Sequence, residues 1–121
     1  MKVSQGEVVW VQYPFSDNPR KYKYRPALVI SNAKANRIDN DVVLLPITSS
    51  LKNDEFSFFI ENNHLQDGQM PKASEVRCNK PTTIRIDFII GHLNNLTDQA
   101  LASVLSLLQT VFEHESAPFS N

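Results

Sequence analysis

Arg25 opens the run RPALVIS at residues 25–31, directly before Pro26. A guanidinium is planar, permanently charged and two-pronged, which suits it to a phosphate or a carboxylate. Lys21, Tyr22, Lys23 and Tyr24 precede it, and Phe15 stands near the head of the same segment. Cations that follow a phosphate backbone and aromatic faces that stack unpaired bases are what single-stranded nucleic acid requires. The plainer reading is a surface loop whose tyrosines cover the mouth of the fold. Thr48 and Ser49 end an apolar run with two hydroxyls, each able to donate to a phosphate oxygen. Taken alone, a threonine at a strand end is a β former. Other chemistries find less support. His64, His92 and His114 have no metal-ligand spacing and form no acid–base pair in sequence. Of the three, only His92, at the end of a strand-like run, is a candidate for a site. Arg77 beside Cys78 favours a lowered thiol pKa, yet no histidine accompanies the cysteine, which reads as a small core residue. Gly6, Gly68 and Gly91 are isolated turn residues and build no phosphate-cradling loop.

Charge supports an anionic ligand at a defined place. The net charge is only −1, but it is segregated. Residues 20–37 hold six basic side chains and no acid, and residues 72–85 hold four against Glu75. Residues 39–67 carry six acids against Lys52, and the chain beyond residue 85 is acidic. Two basic blocks in a near-neutral protein point to a localised anion rather than general adhesion. The bland alternative is a set of solvated loop faces.

Positioning these groups falls to one domain, since 121 residues with 41% apolar content match a single ordinary globular unit. One cysteine allows no intramolecular disulfide and fits a reducing cytoplasm. No apolar run reaches the ~18 residues of a membrane span, and no hydrophobic leader core is visible. The expectation is one cytoplasmic domain over 1–121, with its core at about 6–113 and a frayed tail over 114–121. Residues 7–13, 26–31, 41–48, 55–60, 73–78 and 82–90 read as strands. Pro46 marks the third of these as an edge or a bulge. Residues 14–23 form a polar loop, and residues 32–40 allow one helical turn. From Leu101 the period changes: Leu101, Val104, Leu105, Leu108, Val111 and Phe112 recur as one helix face does. Thr97 is its N-cap, Leu96 and Leu101 its staple, and Ala117-Pro118 its stop. Short strands followed by one terminal helix make an α+β domain: a small curved antiparallel barrel with the helix packed across it.

The order GEVVWVQYPFS, RPALVIS, DVVLLPITSS, SEVRCNKPTTI and a terminal helix resembles the MazF/PemK family of toxin–antitoxin toxins. The resemblance runs from about Gly6 to Phe112. It implies an SH3-like barrel, a homodimer, a cognate antitoxin partner with which DNA is bound, and a metal-independent, sequence-specific endoribonuclease acting on single-stranded mRNA, with no cofactor. Such cleavage uses the ribose 2′-hydroxyl as nucleophile, a group to take its proton, a group to protonate the leaving 5′-oxygen, and a cation for the phosphorane. The resemblance assigns catalysis to Arg25, Thr48 and Arg77. Ser49, Asn79, Phe15, Lys21, Tyr22, Lys23 and Tyr24 are the substrate-binding set. Asn79 departs from the pattern, which has an aspartate there, so the general base is open. Glu7 matches an acidic position and is a possible partner for Arg25. Two alternatives stand beside this reading: a weakened or inactive RNA-binding member of the same fold, and a gyrase poison resembling CcdB. The latter relies on a tryptophan-containing C-terminal tip, whereas the single tryptophan here is Trp10.

Overall fold

The computed structural model describes residues 2–14, 17–18 and 20–116. Among the described residues, seven strands and two α-helices follow one another: β1 Glu7–Pro14, β2 Tyr22–Val29, α1 Ala33–Asn36, β3 Asp41–Thr48, β4 Ser57–Phe59, β5 Glu75–Arg77, β6 Thr82–Arg85, β7 Ile89–Asn95 and α2 Asp98–Val111. The antiparallel sheet runs β4-β5-β3-β2-β1-β7, with β6 also on β3. It curves strongly without closing. β3 is the pivot: Asp41 to Leu44 pair with β6, then Ile47 and Thr48 pair with β5.

Pro46 therefore does not mark an edge. It pairs with Ala27 on the β2 side and falls between the β6 and β5 ladders on the other. A residue with no N–H is tolerated there because no partner awaits it. The expected strand over 82–90 is also interrupted. Ile86–Phe88 form a 3₁₀ turn, and the Ile86 amide donates to the Asn40 carbonyl at 2.8 Å. Only residues 89–90 of that stretch continue, as the start of β7.

Both faces of the sheet are covered, which explains why VVWV, ALVI and VVLL are continuous apolar runs rather than alternating ones. Val8, Leu28, Leu45, Ile47 and Val76 face α2 and its Ala100 and Val104. Val9, Val11, Ala27, Val29 and Leu44 pack on the opposite face with Ile84 and Ile89. Thr97 caps α2, its hydroxyl accepting from the Ala100 amide at 3.2 Å. The helix ends at Val111, with Phe112 as its exposed C-cap rather than part of the buried stripe. It thus stops short of Ala117-Pro118, which lies outside the described residues. Gly6 has φ +90°, and a Cβ there would meet Leu101 Cδ2 at 3.2 Å, so glycine lets α2 close onto the turn before β1. Among the described residues, no helix is long and apolar enough to cross a membrane.

Candidate functional site

The β2–β3 ladder ends at Ala27 opposite Pro46. Beyond that pair the strands part, and a cavity of about 370 Å³ occupies the fork. Arg25 and Pro26 line it from β2, Ile47 and Ser49 from β3 and the residue after it, and Trp10 from β1. Lys23 and Tyr24 add charge and an aromatic ring, and the segment Met70 to Lys72 with Ser74 forms the far wall. The two basic blocks of the sequence meet here through Lys23, Arg25 and Lys72.

Strand parity sorts the groups further. Arg25 pairs with Val11, so its side chain leaves the face that carries Val11 and Tyr13. Arg25 and Thr48 each lie two residues past the Ala27–Pro46 pair, which puts them on one face at matching positions. Ile47 and Ser49 take the other face. Thr48 Oγ1 accepts from the Ser50 amide at 3.0 Å, an ST-turn that turns the chain out of β3. Tyr13 shares the Arg25 face. Its hydroxyl is buried without a hydrogen-bond partner among the described residues, and burial pushes its pKa up to about 12 despite the opposing charge of Arg25. Tyr13 thus stays a neutral donor. Tyr22 and Tyr24 are exposed, as is Lys21, and neither Lys21 nor Tyr22 reaches the cavity lining. Phe15 lies outside the described residues.

Arg77, expected as a catalytic residue, sits in a network of side chains on β4, β5 and the loop before β4. It is buried, and both terminal nitrogens of its guanidinium are hydrogen-bonded. Nη1 donates to Glu75 Oε2 at 2.7 Å, Ser57 Oγ at 2.8 Å and Asp54 Oδ1 at 3.0 Å. Nη2 donates to Asp54 Oδ2 at 2.9 Å and to Asn79 Oδ1 at 3.3 Å. Exchanging these for a phosphate would strand the Glu75 charge in a buried place. The hydrogen bond to Arg77 brings the Asp54 carboxyl down to about 2. Burial raises the Glu75 carboxyl, but hydrogen bonds from Ser57, the Asn53 amide, Arg77 and the Lys52 amide outweigh it and the net direction is down. The same bonds, Asp54 first, raise Arg77. Glu75, so held, is an anion without a free lone pair to act as base.

Glu7 does not pair with Arg25. Its carboxylate meets His92 Nδ1 at 2.8 Å across β1 and β7, and the Ser4 amide donates to it. His92 is thereby tied to β1 and is not among the cavity residues. Cys78 is fully buried, and burial drives its thiol up to about 11, against the smaller lowering by Arg77. It is a core residue. Among the described residues, no group of three His, Cys, Asp or Glu side chains is placed to hold a metal ion.

Trp10, Met70 and Tyr13 stand at the site without being site candidates in the sequence, and Lys72 is marked there only as part of a basic block. Tyr13 was legible from alternation with Val9 and Val11; the others meet Arg25 only through tertiary folding.

Residues 4–112 match the family described as PemK-like, MazF-like toxin of type II toxin-antitoxin system. The chain belongs to this family. No curated protein sequence matches it at a significant level. Solved structures agree with the PemK/MazF-like fold. A MazE–MazF complex from Deinococcus radiodurans is 20% identical with a TM-score of 0.75, covering 91% of this chain and 95% of that one. An endoribonuclease in complex with its cognate antitoxin, from a mycobacterial species, is 18% identical with a TM-score of 0.72, covering 98% and 100%. The Mycobacterium tuberculosis toxin MazF-mt6 is 16% identical with a TM-score of 0.69, covering 88% and 95%. At these identities the likeness to this PemK/MazF-like chain is one of fold.

Proposed function

We propose that this chain is the endoribonuclease toxin of a toxin–antitoxin pair, a cytoplasmic homodimer that cleaves single-stranded mRNA at a short sequence without a metal, and that an acidic antitoxin restrains it. The observation that carries this reading is the fork between β2 and β3, where Arg25 meets Lys23, Lys72, Ser49 and the rings of Trp10 and Tyr24 around one cavity.

In this reading the phosphates follow Lys23, Arg25 and Lys72, and an unpaired base enters against Trp10 and Tyr24. The ribose 2′-hydroxyl gives up its proton as its oxygen attacks phosphorus, the P–O5′ bond breaks, and O5′ takes up a proton. The products are a 2′,3′-cyclic phosphate and a 5′-hydroxyl, with no net change in protons. Arg25 stabilises the charge that builds on the phosphorane with its permanent positive charge. The Thr48 hydroxyl, level with Arg25 on the same face, donates to a non-bridging oxygen. Asn79 accepts from Arg77 and is not among the residues that line the cavity. Asn79→Asp is therefore expected to keep stability within about 0.5 kcal/mol and to preserve cleavage. A clear loss of cleavage would assign the amide a specific role at the substrate.

Trp10 is the single tryptophan, which makes its fluorescence a direct report from the cavity. Titration with an unstructured RNA oligonucleotide is expected to quench it, and the same sequence presented as a duplex is not. Equal quenching by the single strand and the duplex, or none by either, would remove the cavity from RNA recognition.

A further inference from the structure

The chain that follows Thr48 and Ser49 is held by two clamps from β5. Glu75 Oε1 accepts from the Lys52 amide at 3.0 Å and the Asn53 amide at 3.1 Å. Asn53 has φ +52°, a conformation that non-glycine residues adopt at a cost and that these bonds secure. Arg77 grips Asp54 in the same segment with both terminal nitrogens, and its bond to Glu75 Oε2 orients the first clamp. Ser57, opposite Arg77 on β4, donates to Glu75 Oε2 and accepts from the Asp54 amide. Thr48 is the β3 residue directly opposite Glu75, so the clamp and Thr48 occupy one face.

We propose that Asp54, Arg77 and Glu75 form a positioning device that fixes Thr48 and Ser49 at the fork by locking the segment 50–54 against β5. None of the three touches substrate. Arg77 acts on the reaction through Asp54 and Glu75, which occupy its terminal nitrogens. The catalytic part of this proposal rests on the endoribonuclease reading; the locking part does not.

Asp54 is the place to test it, because its side chain is 46% exposed and its loss spares the buried Glu75–Arg77 pair. Asp54→Ala is expected to speed hydrogen exchange at the Lys52 and Asn53 amides by about tenfold or more, since a charge-assisted bidentate contact is lost. Exchange in α2 should not change. For RNA cleavage, kcat is expected to fall by about tenfold with KM unchanged, the mark of a misplaced reacting group rather than weakened binding. Asp54→Asn, which keeps one acceptor, should recover part of both effects. If Asp54→Ala leaves the Lys52 and Asn53 amides as protected as before, the Asp54–Arg77 contact does not lock the segment and the proposal fails. If exchange rises but kcat is unchanged in an active enzyme, the lock does not position the site. A wild-type protein that binds but never cleaves RNA would count against the functional reading, and the exchange data would still decide the lock.

Discussion

Arg25→Ala is expected to lower RNA cleavage by about a hundredfold or more, the usual consequence of deleting a group that stabilises an oxyanion. The fold should survive, because Arg25 is exposed and makes its strand pairing with Val11 through the backbone. Lysine in its place restores charge but not the planar fork, so Arg25→Lys should recover only part of the rate. Single-turnover cleavage of a labelled RNA, with circular dichroism to confirm folding, measures both. A folded Arg25→Ala protein that cuts at the normal rate would place the phosphorane elsewhere.

Arg77→Ala has a different signature. It leaves Glu75, which is 1% exposed, with a buried charge and no countercharge. Breaking a buried pair from one side costs about 3–5 kcal/mol, a large share of the ~5–15 kcal/mol that holds a domain together. The urea midpoint should drop accordingly, and Glu75→Gln in the Arg77→Ala background should raise it again, since a neutral amide removes the stranded charge. The same cluster gives the wild type an acid limit. Asp54 and Glu75 are both depressed in the folded state, so their contribution is present above their ordinary values and lost as pH falls through the folded ones, for Asp54 from about 4 toward about 2. An Arg77→Ala protein as stable as wild type would show that the cluster carries little of the fold.

The difference between these two arginines was only half legible in the sequence. Arg25 announces itself locally: a proline follows it and an apolar run follows that, although its place level with Thr48 comes from the β2–β3 register. Arg77 looks just as available in SEVRCN, because nothing nearby shows that Asp54, 23 residues earlier, folds across to meet it. Glu7 and His92, 85 residues apart, meet for the same reason, through pairing of β1 with β7. The strands were readable because both sheet faces are buried and the runs are correspondingly apolar. Thr97 was readable because a cap is a local motif. The break at Ile86–Phe88 was not, since it depends on the distant carbonyl of Asn40. The cavity wall from Met70 to Lys72 carries no local signal beyond one lysine in a basic block.

The central claim is that this fork cuts single-stranded RNA without a metal. The most direct test is incubation of the purified wild-type protein with a long, unstructured RNA in EDTA, followed by mapping of the fragment ends. Discrete cuts at a recurring short sequence, with 2′,3′-cyclic phosphate and 5′-hydroxyl ends, are the predicted result. Intact RNA in the presence of folded, RNA-binding protein, or cleavage that appears only when a divalent metal is restored, would contradict it.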